Sequence, residues 1–470
     1  MGSFLSMASN KSNQNECNEV YPNQTCMRQR SSPASLEECP GLIPNLPDEL
    51  SLQIIARLPR ICYYSLRLVS RQWKEAIMSS ELYKLRKVLG ITEEWLYLLV
   101  EVGKNKLLWY ALDPHSCIWQ RLPIMPNDVD EEPQKGSSRP WKWNMAVGLL
   151  GQKDALDELS FRGCSFGAVD GCLYVLGGFS KDSAKRRVLR FDPIQNAWTK
   201  VTSMSTGRIY CKTGCLNNKL YVVGGFGIGP AGWDPHQSAE VFDLCTNTWS
   251  HIPSMPFSRA GLLSKEVFNP STLRIEMLKP FATGLASYRG KLHVTQTLHP
   301  CPSSIDVGQI YDPETNSWME MPTGMGEGWP TPQSGTKWSV VVNGELYAFV
   351  DSMYGGKIKV YDQGEDAWKV AIGKVPAYHF TDSSCRPYLL TGLHGKLHFI
   401  KYDGSHDVTV LQADPCSYLD SSLPTSPLSH ESTHGLILDS VTETDAVVWK
   451  VVASRRFGQV ELINCQVIDI

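Results

Sequence analysis

The chain has 470 residues, enough for more than one domain and a large core, and its 45 basic side chains nearly offset 48 acidic ones, for a formal net charge of -3. That balance offers no electrostatic case for a nucleic-acid or anionic-membrane partner. With 14 Trp, 37 Gly and 29 Pro, the composition points to many short strands joined by tight turns, not to a helical protein.

Residues 1–40 are rich in Ser, Asn, Gln and Glu and hold little to bury, so a disordered segment is expected there. The start, MGSFLSMASNKSNQ, has neither a basic leader nor an apolar secretory stretch, and no apolar run in the chain reaches membrane-spanning length. The 14 cysteines, with no C-x-x-C pair among them, are therefore read as thiols of a reducing compartment, and a cytoplasmic or nuclear location is expected by elimination. Met1-Gly2 with Ser6 does fit the minimal N-myristoylation pattern. A single acyl chain anchors weakly without a second signal, however, and the first 30 residues hold no basic cluster.

From Leu42 to about Lys87 the pattern is helical. Pro47-Asp48 suits a helix start with Asp48 as N-cap, Pro59 stops that helix, and Ser70 can cap another. Leu50, Ile54 and Leu58 recur at i, i+4 and i+8 on one face, while Leu52 and Ile55 fall on another side. One side can join Leu66, Val69, Trp73 and Ile77 in a local core. A segment of about 45 residues is too small to bury the other side as well, which marks it as a docking surface.

From Glu94 onward the pattern becomes strand and turn, and it repeats. An Asp ending an apolar strand is followed six residues later by a Trp five times: Asp113/Trp119, Asp192/Trp198, Asp243/Trp249, Asp312/Trp318 and Asp362/Trp368. Asp opens a type I turn by accepting a backbone N–H, and the Trp starts the returning strand as its anchor. Upstream of these pairs, Asp170-Gly171, Asn217-Asn218, Arg289-Gly290, Asn343-Gly344 and His394-Gly395 each separate two apolar runs, as two-residue hairpins do. One unit is therefore four strands, a to d, with a–b and c–d joined tightly.

These units resemble the kelch family, whose hallmark Gly-Gly strand end is intact in LYVLGG (Leu173–Gly178) and LYVVGG (Leu220–Gly225) and is replaced in LHVTQT, LYAFVD and LHFIKY. The resemblance implies a β-propeller over residues 94–470 with strand a innermost. The unit beginning at Trp95 lacks its own strand a, and the segment Val460–Val467 reads as a strand a without a unit. Letting the second complete the first removes two open sheet edges. Six blades result, with five or seven remaining open, the last running from about Pro387 through Trp449 and carrying a flexible Ser/Pro-rich c–d insertion at 403–445.

Residues 41–87 resemble an F-box. The family's start matches Leu46-Pro47-Asp48-Glu49-Leu50, its Leu-Pro step matches Ile55-Ala56-Arg57-Leu58-Pro59, and its Val-Ser-(Lys/Arg)-x-Trp matches Val69-Ser70-Arg71-Gln72-Trp73. An F-box followed by kelch units is similar to a large plant family. The resemblance implies a substrate-recognition subunit of an SCF-type E3 ubiquitin ligase. Leu46, Pro47, Leu50, Ile54, Leu58 and Pro59 would bind a Skp-type adaptor, and through it a cullin-RING ligase, while the propeller binds an unknown target protein.

In such blades the a–b and c–d turns lie on one face, and the longer b–c and d–a connections lie on the other. The long ones include Gly225–Gln237, Leu298–Asp306, Pro123–Ser160 and Pro253–Pro280. Variable loops on a rigid scaffold carry specificity, so Trp233, Arg259 and Trp329 are the candidate substrate-face residues. No cofactor or metal is expected. His394 and His398 have i, i+4 spacing, but on a hairpin turn and strand rather than on the helical face that metal ligation at that spacing needs. A ligase-independent scaffold and a propeller oxidase or isomerase are the alternatives, and no G-x-S-x-G, P-loop or ligand cluster in the sequence favours the latter.

Overall fold

The repeat folds into six four-stranded antiparallel blades in a computed structural model that describes residues 41–103, 106–126, 161–179, 183–229, 232–256, 279–299, 307–329, 338–350, 356–376, 388–402, 406–415 and 449–470. Residues 1–40, Gly2 included, lie outside the described residues.

A short helical head comes first: α1 (Asp48–Ala56), a 3-10 turn (Arg60–Cys62), α2 (Tyr63–Leu66), α3 (Arg71–Met78) and α4 (Ser80–Val88). Ser70 caps α3 by accepting the Trp73 N–H, and Ser79 caps α4 by accepting that of Leu82. Asp48 does not cap α1. Pro47 occupies the N-cap, which leaves Asp48 in the first turn, and its carboxylate accepts the Leu42 N–H at 2.8 Å instead. Val69 is not a core residue either. It sits in the connection between α2 and α3 and is 61% exposed, whereas Ile77 is buried and Leu66 and Trp73 are half-buried against the core.

Blade 1 takes β1 (Glu94–Val102), β2 (Lys106–Asp113) and β3 (Ile118–Arg121) as strands b, c and d. Blade 2 is β4 (Cys164–Val169), β5 (Cys172–Gly177), β6 (Val188–Asp192) and β7 (Ala197–Val201). Blade 3 is β8 (Lys212–Leu216), β9 (Lys219–Val223), β12 (Ala239–Asp243) and β13 (Thr248–Ile252), and its b–c connection folds into an extra hairpin of β10 (Phe226–Gly229) and β11 (Gly232–Pro235). Blade 4 is β14 (Lys279–Tyr288), β15 (Lys291–His299), β16 (Val307–Asp312) and β17 (Ser317–Glu320), followed by the short helix α5 (Thr323–Gly328). Blade 5 is β18 (Ser339–Val342), β19 (Glu345–Val350), β20 (Gly356–Asp362) and β21 (Ala367–Val375). Blade 6 is β22 (Tyr388–Leu393), β23 (Lys396–Tyr402), β24 (Asp407–Ala413) and β25 (Lys450–Arg456).

The last strand, β26 (Val460–Asp469), pairs antiparallel with β1 from Glu94↔Asp469 to Val102↔Val460 and supplies the missing strand a of blade 1. Glu93 and Ile470 then exchange backbone bonds at 2.9 and 3.1 Å. The innermost strands β26, β4, β8, β14, β18 and β22 pack in that order around the ring and back to β26. Two boundaries of blade 6 differ from the sequence expectation. Residues 407–413, placed in the insertion, are a regular strand c with Val408, Thr409, Val410 and Leu411 all buried, and strand d begins at Lys450, one residue past Trp449. Of the rest of the insertion expected from the sequence, residues 403–405 and 416–445 lie outside the described residues.

Each turn does what its residues allow. All five a–b hairpins place both central residues at positive φ, for example Asp170 at 48° and Gly171 at 70°. Asp192, Asp243 and Asp362 each accept two backbone N–H groups of their own c–d turn. The Trp that follows reaches to the preceding blade: indole N–H groups of Trp198, Trp249, Trp318 and Trp368 donate to the carbonyls of Pro123, Thr202, Pro253 and Met325 at 2.7–2.9 Å. Trp119, at the closure, instead packs edge-on to Phe457 with ring centroids 5.6 Å apart. The Gly-Gly pairs have a packing cause: a Cβ on Gly177 would stand 2.1 Å from the Arg208 carbonyl oxygen, and one on Gly225 would stand 2.8 Å from that of Ile209.

Candidate adaptor-docking and substrate faces

The helical head lies on the face of the a–b and c–d turns, over blades 1 and 2. Its Ile55, Tyr63, Ile77 and Leu82 share one buried core with Trp95, Tyr97, Phe191 and Ile470 of the propeller. Arg86, 1% exposed, stitches this seam: its guanidinium donates to the carbonyls of Ala56, Leu58 and Ile91, to the Tyr63 hydroxyl, and to Glu93 at 2.7 Å. Arg67 adds a bond to the Ile194 carbonyl in the c–d turn of blade 2. Head and ring are thus held by buried contacts, not by a bare linker.

Helix α1 divides its apolar side chains between two faces. Ile55 and Ala56 are fully buried in the shared core, whereas Leu50 and Ile54 are each 46% exposed, with Pro47 and Pro59 exposed near them in sequence. Leu46 and Leu58 are half-buried, and Leu58 packs against the core. Leu68 at 86% and Val69 at 61% add exposed apolar surface before α3 that the sequence reading did not pick out. Their signal was present as a Leu-Val pair directly before the Ser70 cap, but helical periodicity assigned Val69 to the core.

On the opposite face the three substrate candidates separate. Trp233, at the start of β11, is 47% exposed, stacks on Tyr210 at 5.9 Å and 21°, and is braced edge-on by Phe179 and Phe226. Tyr210, held at a positive φ of 55°, also lines a central cavity of about 610 Å³. Trp329 is no surface residue: it is 2% exposed, buried between blades 4 and 5 against Trp368 at 5.8 Å. Helix α5 carries the chain inward directly before it, which no loop-length argument foresees. Arg259 lies outside the described residues, as do all of residues 127–160 and 257–278. Behind the Trp233 hairpin, Arg208 and Glu240 form a fully buried ion pair at 2.8 Å that the sequence reading also missed.

No group of three or more His, Cys, Asp or Glu side chains that could hold a metal is found among the described residues. His398 is 1% exposed, and burial lowers its pKa to about 4, while His394 occupies a hairpin turn. Burial pushes the Cys164 and Cys172 thiols up to about 11, so both stay protonated and weakly nucleophilic. No helix among the described residues is long and apolar enough to cross a membrane.

The head and the two strict blades are also the parts that match known families. The F-box domain profile matches residues 43–85, and the Kelch motif profile matches 160–205 and 207–256, which are blades 2 and 3. F-box/kelch-repeat protein At1g22040 of Arabidopsis thaliana is 52% identical over 484 aligned positions, covering 100% of both chains. F-box/kelch-repeat protein At1g16250 of the same plant is 27% identical over 72% of this chain and 76% of its own. A third, F-box/kelch-repeat protein At1g30090, is 27% identical over 65% of this chain and 64% of its own. Matched by the F-box and Kelch profiles and 52% identical over its full length to an F-box/kelch-repeat protein, the chain belongs to the F-box/kelch-repeat family.

Proposed function

We propose that this chain is the substrate-receptor subunit of an SCF-type E3 ubiquitin ligase: the F-box binds a Skp-type adaptor, and the propeller's long-loop face binds the target protein. The single observation that carries this reading is the division of α1. Its Ile55 side is sealed in the core shared with the propeller, while Leu50 and Ile54 on its other side stay 46% exposed and outside that core among the described residues. Exposed apolar surface on a rigid element is what a constitutive partner covers.

The reading gives the chain no catalytic step. Its work is to hold two proteins at a fixed separation, and the buried seam around Arg86 and Glu93 suits that work. Trp233 on its aromatic support is the described residue best placed to touch a target, because a braced Trp loses little conformational entropy on binding. A cytoplasmic or nuclear site of action goes with this assignment.

Co-purification with a Skp-type adaptor tests it. The full chain is expected to bring the adaptor down, and Pro47→Ala combined with Leu50→Ala is expected to lose it while the melting temperature stays within a few degrees. Adaptor retained by a folded double variant sinks the docking face. The experiment needs the full chain, because the head shares its core with the ring.

A further inference from the structure

Between the helical head and blades 1 and 2 lies a cavity of about 480 Å³ whose lining includes Arg60, Tyr64, Tyr97, Gln120, Arg121 and Asn196. Two guanidiniums line it, and no carboxylate does. Arg60 is 4% exposed. Its guanidinium lies 4.3 Å above the Trp95 ring centroid, Nη2 donates to the Tyr97 hydroxyl at 2.8 Å, and the buried Nη1 has no acceptor. The nearby Glu93 carboxylate does not serve that guanidinium: its Oε1 accepts the Arg60 backbone N–H and the Arg86 side chain. Arg67 adds a third positive charge, laid over the Tyr64 ring at 5.6 Å and bonded to a backbone carbonyl. The Asp192 carboxylate in the adjoining turn is taken up by Arg190 and by the backbone N–H groups of Ile194 and Gln195.

A guanidinium keeps its proton at any physiological pH, so Arg60 is a permanent buried charge. Burying such a charge without a counter-ion is costly, and native proteins leave few buried donors without a partner. An arginine fork matches an oxyanion edge with two parallel hydrogen bonds, and aromatic walls suit the body of a small organic molecule. We infer that this seam binds a small oxyanion, a phosphoryl- or carboxylate-bearing molecule held by Arg60 and Arg121. Such a ligand touches Arg60 and Tyr64 of the head and Tyr97 and Arg121 of the ring, so it fastens one to the other.

The melting temperature of the full chain, titrated with sodium pyrophosphate or sodium citrate against sodium chloride at matched ionic strength, tests the site. The expected result is a saturating rise with at least one of the two oxyanions and none with chloride. Arg121→Gln, a change at an exposed strand end, is expected to fold normally and to weaken the half-saturation concentration by at least about tenfold. A rise that never saturates, no rise at all, or the same saturation in Arg121→Gln overturns the inference. Adaptor co-purification of Arg121→Gln should be unchanged, which keeps this site separate from the docking face of α1.

Discussion

The Arg208 guanidinium and the Glu240 carboxylate meet at 2.8 Å with both side chains wholly withdrawn from water. Burial alone would raise the Glu240 pKa, but bonds from Arg208 and from the Ser205 N–H outweigh it and hold the group below its ordinary range. Arg208 also donates to the carbonyls of Gly224 and Ser238, so the pair ties the connection entering blade 3 to two of that blade's strands. Removing one partner strands the other as an uncompensated buried charge. Glu240→Ala is expected to cost about 3–5 kcal/mol in urea unfolding, and pairing it with Arg208→Met should recover part of that loss. A loss under about 0.5 kcal/mol would mean that the pair holds nothing together.

The blade tryptophans are half-buried, and Trp198, Trp249, Trp318 and Trp368 work partly through their indole N–H groups. Trp198 packs on Phe191 at 5.1 Å and donates to Pro123 of blade 1. Trp198→Ala should therefore cost about 2–3 kcal/mol, below the ~3–5 kcal/mol of a fully buried aromatic, and Trp198→Phe should recover the packing but not the bond. Unfolding midpoints of the two variants separate these contributions.

Two histidines make the ring acid-sensitive. Burial lowers His293 and His398 from 6.5 to about 4 in the folded chain. A depressed folded pKa means that the neutral form is the one folding favours. The stability it lends is complete above pH 6.5 and is lost as the pH falls from there toward 4. The combined loss is on the order of a few kcal/mol. Unfolding midpoints measured between pH 7 and about pH 4 should fall across this window, and His398→Gln should flatten the slope.

Neighbours on α1 should behave oppositely. Ile55→Ala opens a cavity in the core shared by head and ring and should cost about 2–5 kcal/mol. Ile54→Ala, half-exposed, should change stability by less than about 1 kcal/mol yet weaken adaptor capture. Equal stability losses at the two positions would show that α1 has no free face.

Much of the architecture was legible because its signals are local. An Asp that opens a turn and a Trp six residues on need only their own hairpin to be recognised, and Asn-Gly or Asp-Gly pairs announce positive φ wherever they occur. The orphan strand at Val460–Val467 was legible by counting, since an open ring leaves edges unpaired. Trp329 was misplaced for the converse reason: a Trp in a long connection looks exposed until the path of α5 is known. Val69 failed similarly, because helical spacing was extended across a turn that breaks it.

The sequence by itself determined the four-strand unit, the closure of the ring by its last strand, and the apolar residues α1 presents on two sides. These follow from hydrogen-bonding and burial rules that act over a few residues, or over a whole sheet edge. Only the tertiary structure decided which side of α1 is sealed, that Arg60, Arg67 and Arg86 meet the ring in one seam, and that Arg208 finds Glu240 32 residues away. Such long-range pairings depend on how blades and helices stack, and no spacing along the chain encodes that contact directly.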